Sequence, residues 1–439
     1  MKLYANNPHY IEFRGAPTVV VGSGEHYGAV LNLDFDYRPY LDALARDGLN
    51  QLRLFSGAYR EIPGEFGIAD NNLAPLPGRF ICPWPERDGK FDLARFDEAY
   101  LARLHDFMRL ASARRILVEL VLFCFWYNEP LWAHSPLHPA NNVQGAGPLD
   151  KERVYTLNNN PLLPVQEAMV RKLVTEVNGY DNVYFEICNE PYSRHDHTTY
   201  LDWQHHIVDL IVETESGLPN RHLIALNYQN RTQCIADPHP AVSICNFHYA
   251  LPDAVKENRH LNRAIADDET GFAGQIAAPY RREAWAFMLA GGGLFGHLDY
   301  SFTCRHPDGA APIKGSTPGY GGTDLRRQLA FLKAFLQDIR VWTMRPCNEI
   351  FAWNAGEVDA QALADPGRLY VIYFPQNRAG TTHGLSAPPG EYQLEWINPT
   401  AGRVFWSGAR THPGGYLQVA APGHADDLVL KLTRQKAND

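Results

Sequence analysis

Apolar positions along this chain follow two alternating patterns. Short β-branched and aromatic runs, bounded by Gly, Pro, Asn and Asp, read as buried strands. They cover residues 17–21, 51–55, 116–125, 183–188, 222–227, 242–247, 263–268 and 294–300. The first follows residues 10–14 across Gly15-Ala16, which predicts a hairpin whose second arm runs on as the first strand. Between most of these runs apolar residues return at helical spacing, over 37–46, 91–113, 163–177, 199–215, 279–290 and 324–339. Residues 228–241 show little helix, so an irregular link is expected there. This alternation predicts a parallel α/β sheet, and the count predicts closure into a (β/α)8 TIM barrel over residues 1–344. Beyond about residue 345 only short strand signals remain, at 349–353, 368–374, 392–397, 403–406, 417–420 and 428–432. Pro366-Gly367, Pro388-Pro389-Gly390 and Pro413-Gly414-Gly415 punctuate them. Residues 345–439 are therefore predicted to form a small antiparallel β-sandwich.

Composition narrows the class. The 439 residues suit one large barrel plus a small second domain. The net charge of −9 argues against nucleic acid or an anionic membrane as partner. No apolar stretch reaches membrane-spanning length, and Met1–Pro8 lacks the apolar core of a signal peptide. Seven scattered cysteines form no CxxC pair and are expected as buried free thiols. Together these features favour a cytoplasmic location. Histidines cluster at His134 and His138, His195 and His197, and His205-His206. None forms a metal-binding signature, so neither a metal nor a cofactor is expected.

The strand ends carry the candidate chemistry. Asn189-Glu190-Pro191 closes the fourth run, and Glu269 closes the seventh before Thr270-Gly271. Glutamates at two C-terminal strand ends of one barrel suit acid/base and nucleophilic work on a glycosidic bond. The plainer alternative makes Glu190 a loop cap and Glu269 an exposed loop charge. Strand alternation puts Asp267 on the side of Glu269, as a buried support, and Asp268 on the opposite face. Glu186 and Glu119 are expected deeper, in structural ion pairs. Glu25-His26 suits either a sugar hydroxyl or a cap. Trp126, Trp132 and Trp84, on loops, are candidates for a sugar platform or for the core. Long Gly- and Pro-rich loops follow the second strand, at 56–90, and the third, up to residue 160. They are placed to wall off one end of a cleft, which favours exo action.

With these residues in place, the chain resembles clan A glycoside hydrolases over residues 10–340, and more loosely their family 5. The resemblance implies Glu190 as acid/base, Glu269 as nucleophile, Arg53 as the nucleophile's support and Asn189 on the sugar hydroxyl beside the reacting carbon. His248-Tyr249 resembles a pair that family 5 usually spaces by one residue. Being adjacent here, only one is expected to point inward easily. The family's Trp on the eighth strand is missing, and His297, Asp299 and Tyr300 occupy that strand end. No His matches the family's third-strand histidine, and Trp126 is the nearest large residue. The segment Tyr392…Trp396-Ile397-Asn398-Pro399-Thr400-Ala401-Gly402 resembles the β-sandwich trailing some cellulase-like and apiosidase-like hydrolases. The resemblance implies a retaining glycoside hydrolase acting by double displacement, with carbohydrate as its partner; with no leader signal at Met1–Pro8, short imported oligosaccharides or glycosides are the expected substrates. A non-catalytic carbohydrate binder and a transglycosylase remain alternatives. The sugar, its linkage and the oligomeric state stay open.

Overall fold

The eight apolar runs close on themselves. A computed structural model describes residues 1–192, 197–353, 359–376, 380–423 and 426–435, with the backbone alone for 197–199. The barrel strands are Val20–Val21, Gln51–Phe55, Leu117–Cys124, Val183–Asn189, Ile224–Asn230, Ile244–His248, Ala264–Glu269 and Leu294–Phe295. They pair in parallel, in the order first, eighth, seventh, sixth, fifth, fourth, third, second. A parallel bridge from Gly22 to Gln51 joins the first to the second and completes the ring. Ile11–Phe13 and Ala16–Thr18 form the expected hairpin beneath it. The fold is a TIM barrel followed by a β-sandwich.

The helices are α1 (Tyr37–Arg46), α2 (Glu98–Ala113), α3 (Glu129–His134), α4 (Leu163–Val177), α5 (His197–Ser216), α6 (Pro252–Asn258), α7 (Ala277–Leu289) and α8 (Thr323–Asp338). Helix α2 begins seven residues later than its apolar spacing predicts, because Asp97 caps it by accepting from the Ala99 and Tyr100 backbone N–H groups. Lys90–Phe91 pairs instead with Glu86–Arg87. Helix α6 was not legible, being only seven residues long. The eighth strand is also shorter than expected. It stops at Gly296, where any Cβ would lie 2.5 Å from the Asp268 carbonyl oxygen, and only Leu298 bridges on to Gly24.

The sandwich sets a six-stranded sheet against a three-stranded one. Gln361–Asp365 and Thr382–Leu385 are strands that the sequence reading missed, since Ala, Gly, Gln and His fill them. Helix α7 fixes the sandwich to the barrel. The buried Arg281 donates to Asp427 and Asp426, and Trp285 stacks on Tyr373 with centroids 5.8 Å apart. All seven cysteines are free, five of them buried. Among the described residues no helix is long and apolar enough to cross a membrane.

Candidate active site

Glu190 and Glu269 face one cavity at the C-terminal ends of the strands. Backbone irregularities aim them there. Glu190 follows the fourth strand with φ +47°, a left-handed conformation uncommon outside glycine. That turn lets Asn189 and Glu190 share the interior, which alternation alone forbids. Tyr249 has φ +51° after the sixth strand, with the same effect. His248 and Tyr249 therefore both reach the site, contrary to the expectation that adjacency admits only one. His248 Nδ1 lies 2.8 Å from Glu190 Oε1, and the Tyr249 hydroxyl donates to Glu269 Oε1 at 3.1 Å.

The seventh strand carries a further correction. Phe247 pairs with Asp267 and His248 with Glu269, leaving Asp268 as an inserted residue. The bulge turns both Asp268 and Glu269 inward and sends Asp267 outward, toward Glu283 and the Ala250 backbone. Strict alternation had predicted the reverse for the two aspartates.

A single guanidinium organises the floor. Arg53 donates to Glu269 at 2.7 Å, to Glu186 at 2.6 Å and to Asn189 Oδ1 at 2.9 Å. Its Nε lies 3.5 Å from Asp268 and 3.7 Å from Glu119. Asn246 Nδ2 faces Glu119, Glu186 and Asp268 at 2.6–2.9 Å. Glu186 and Glu119 thus lie deep in the barrel in ion pairs, as expected. Each of Glu190, His248 and Glu269 brings one ligand-type atom within 4.8 Å of the others, and so do Glu119, Glu186 and Asp268. Arg53 already supplies the positive charge among the second group, which disfavours a metal cation there.

The charges of the triad are coupled. Burial pushes Glu269 above the ordinary carboxyl range, against the opposing charges of His248 and Arg53. Burial acts the same way on Glu190, but hydrogen bonds from His248 and Tyr127 outweigh it and hold that carboxyl low. His248 is held above the ordinary imidazole range: burial opposes its charge, while Glu269, Glu190 and Asp268 favour it.

The cavity has a volume of about 300 Å³. The loop after the second strand walls one flank with Tyr59, Glu61, Phe66, Ile68 and Leu73. Burial raises Glu61 to about 7, and its carboxyl accepts from Tyr59 and Asn71. Tyr127 donates to Glu190 Oε2 at 2.8 Å and accepts from Asn189 at 2.9 Å. Sequence reasoning missed Glu61, Tyr127 and Asn246. In Trp126-Tyr127-Asn128-Glu129-Pro130 the sequence points only to Trp126, and nothing in residues 56–90 singles out Glu61.

Other expected residues lie elsewhere. Trp126 is wholly buried and stacks on Tyr155, with centroids 5.0 Å apart. Trp132 and Trp84 are buried too, so none of the three is a sugar platform. Beyond Phe295 the backbone still bonds both neighbours, Leu298 N–H to the Thr270 carbonyl and Asp299 N–H to that of Gly24, and Leu298 lines the cavity while His297, Asp299 and Tyr300 do not. His297 bonds Thr270 and the Tyr320 carbonyl, and Asp299 pairs with Arg326 at 2.8 Å. Tyr300 stands behind the wall, edge-on to His26 at 4.7 Å. His26 does line the cavity, and burial lowers it to about 4. Glu25 is a cap, accepting from the Gly28 and Ala29 N–H groups and from Asn72. The other histidines are dispersed: His206 bonds Glu167, and His134 bonds the Pro130 carbonyl. His195 and the His197 side chain lie outside the described residues.

No protein-family model matches the chain, and no curated protein matches it by sequence. Solved structures do match its fold. A family 5 glycoside hydrolase from Bacteroides vulgatus superposes with a TM-score of 0.69 at 14% identity, covering 99% of this chain and 93% of that one. An endo-1,4-β-mannanase from Rhizomucor miehei gives 0.53 at 12% identity, over 77% of this chain and 100% of that one. An endo-β-1,4-mannanase from Thermotoga petrophila gives 0.50 at 13%, over 97% and 98%. At these identities the likeness is one of fold.

Proposed function

We propose that this chain is a retaining glycoside hydrolase that removes a terminal sugar from an oligosaccharide or glycoside. The barrel, residues 1–344, is its catalytic part, and residues 345–439 are an accessory sandwich. One observation carries the reading: an oxygen of Glu190 and an oxygen of Glu269 lie within 4.8 Å across a single cavity. Carboxyl groups about 5–5.5 Å apart suit double displacement, whereas inversion needs ~6.5–9.5 Å to admit a water.

Glu269 is the nucleophile, held by Arg53 and Tyr249. Glu190 protonates the leaving oxygen and then activates water. In the free site Glu190 is held below the ordinary carboxyl range and Glu269 above it, the reverse of the order in which an acid and a nucleophile work. Three groups that titrate together redistribute protons as a unit. His248 Nδ1 lies 2.8 Å from Glu190 Oε1, so transfer of a proton from a charged imidazole to Glu190 yields the acid form and a neutral ring. Expulsion of water by a bound sugar favours that neutral pair over the ionic one. The cavity volume, at the lower end of the ~300–1,000 Å³ range of ligand pockets, supports one enclosed sugar.

The test is turnover of a glycoside panel with the product anomer followed by NMR. Retention is expected, with Glu190→Gln and Glu269→Gln each losing at least ~10³-fold in kcat. An inverted first product, or near-native turnover by either variant, overturns the proposal.

A further inference from the structure

Beside the catalytic cavity lies a larger one, about 850 Å³, between the barrel and the β-sandwich. The two share Tyr249 and Phe272 as their dividing wall. Resting on the glycosidase reading above, we propose that this second cavity binds the leaving part of the substrate, as further neutral sugar residues, and that the β-sandwich is part of the binding site.

Four features support this. The first is direction. The loop after the second strand closes one flank of the catalytic cavity, while Tyr249 and Phe272, beyond the sixth and seventh strands, border both it and the larger space. A chain whose terminal sugar occupies the small cavity extends that way.

The second is the ridge itself. Phe272 is 42% exposed, a large aromatic side chain left partly bare between two cavities. Its ring stands edge-on to Tyr249 and Tyr300, with centroids 6.2 Å away in each case. An exposed ring so held offers an apolar face to a sugar, the task for which no tryptophan is available at this strand end.

Third, the cavity's polar side chains suit hydroxyls and not one formal charge. Arg231, Arg282, Asp253 and Glu283 come from the barrel, and Asp359 and Gln361 from the sandwich; burial pushes Glu283 up to about 8, so Asp253 and Asp359 balance the two arginines. Leu251, Pro252 and Ala286 give an apolar floor.

The fourth is rigidity. Helix α7 places Arg282, Glu283 and Ala286 in the cavity, while its other side docks the sandwich through Arg281 and Trp285. Gln361 begins a strand that pairs with Leu369–Phe374, and Pro375 and Gln376 follow that neighbour. Two adjacent strands of the docked sheet thus present their ends to the cavity at a fixed position.

The test compares 4-nitrophenyl glycosides of mannose, glucose, xylose and galactose with tetrasaccharides of the same sugars. Wild type is set against Gln361→Ala/Gln376→Ala and, separately, Phe272→Ala. The ratio of kcat/KM for tetrasaccharide to that for nitrophenyl glycoside is expected to fall about tenfold in the glutamine double variant, through KM. An unchanged ratio overturns the inference while leaving the glycosidase reading intact. If wild type cleaves none of these compounds, the glycosidase reading fails, and calorimetric binding of the tetrasaccharides decides the cavity alone. Binding weakened about tenfold by the double variant supports the site; binding that is absent or unaffected overturns it.

Discussion

Replacing Arg53 by Met probes the floor of the site at its most connected point. Among the described residues the guanidinium is the one cation within 4 Å of Glu119, Glu186, Asp268 and Glu269 alike, and its side chain is 1% exposed. Its removal leaves four buried carboxyl groups facing one another. Removing one partner of a buried pair costs about 3–5 kcal/mol, so urea unfolding should show a loss of that order. The catalytic effect has a definite sign. Arg53 lowers Glu269 against the upward push of burial, so its loss raises that carboxyl further. A hydrogen bond to a charged group is worth about 1.5–3 kcal/mol, which corresponds to ~1–2 pH units. Glu269 must be ionised to attack, so the acid limb of kcat/KM moves up by ~1–2 units. Arg53→Lys keeps the charge but not the fork to Glu269 and Glu186, so the expected limb shift is smaller. The assay is a pH–rate profile on any glycoside that wild type cleaves. An Arg53→Met enzyme with the native acid limb and native unfolding midpoint refutes the reasoning.

Three further outcomes are expected. Tyr127→Phe removes a donor that lowers Glu190, so that carboxyl should titrate ~1–2 units higher in the free protein, followed by NMR of 13C-labelled glutamate. Glu61 is raised from 4.5 to about 7 in the folded protein, so the native state binds the extra proton between those values. Stability from this group is full at low pH and is lost as pH rises through 7. Glu61→Gln should therefore match wild type near pH 4 and exceed it at pH 8 by up to ~3 kcal/mol in denaturant titrations. Arg281→Met strands the fully buried Asp427 and should cost about 3–5 kcal/mol by urea unfolding, a loss that a surface substitution such as Arg327→Met does not reproduce.

The barrel was legible because its strands are continuous apolar runs, as buried parallel strands must be. Gln51–Phe55 and the helices Tyr37–Arg46 and Leu163–Val177 match to the residue. Glu190 was legible for a local reason, since Pro191 ends the run and marks the strand's lip. What escaped depends on departures from period two. The Asp268 bulge inverts the faces of Asp267 and Asp268, and no residue type there announces it. The left-handed Glu190 and Tyr249 likewise put neighbours on one side, where alternation separates them. Trp126 misled because position after a strand end does not say whether a ring turns to solvent or inward; here Tyr155 and Trp132 receive it. Glu61 sits in a loop whose course is set by distant contacts, and Asn246 became notable only once three carboxyl groups met it in space.

The most direct measurement is covalent trapping. Incubation with 2,4-dinitrophenyl 2-deoxy-2-fluoroglycosides of several sugars, followed by peptide mass spectrometry, locates the residue that attacks the anomeric carbon. A single glycosyl adduct is expected on Glu269, absent from Glu269→Gln and slow to form in Glu190→Gln with poorer leaving groups. An adduct on Glu61, Asp268 or any other residue contradicts the assignment, as does stoichiometric release of dinitrophenol with no adduct.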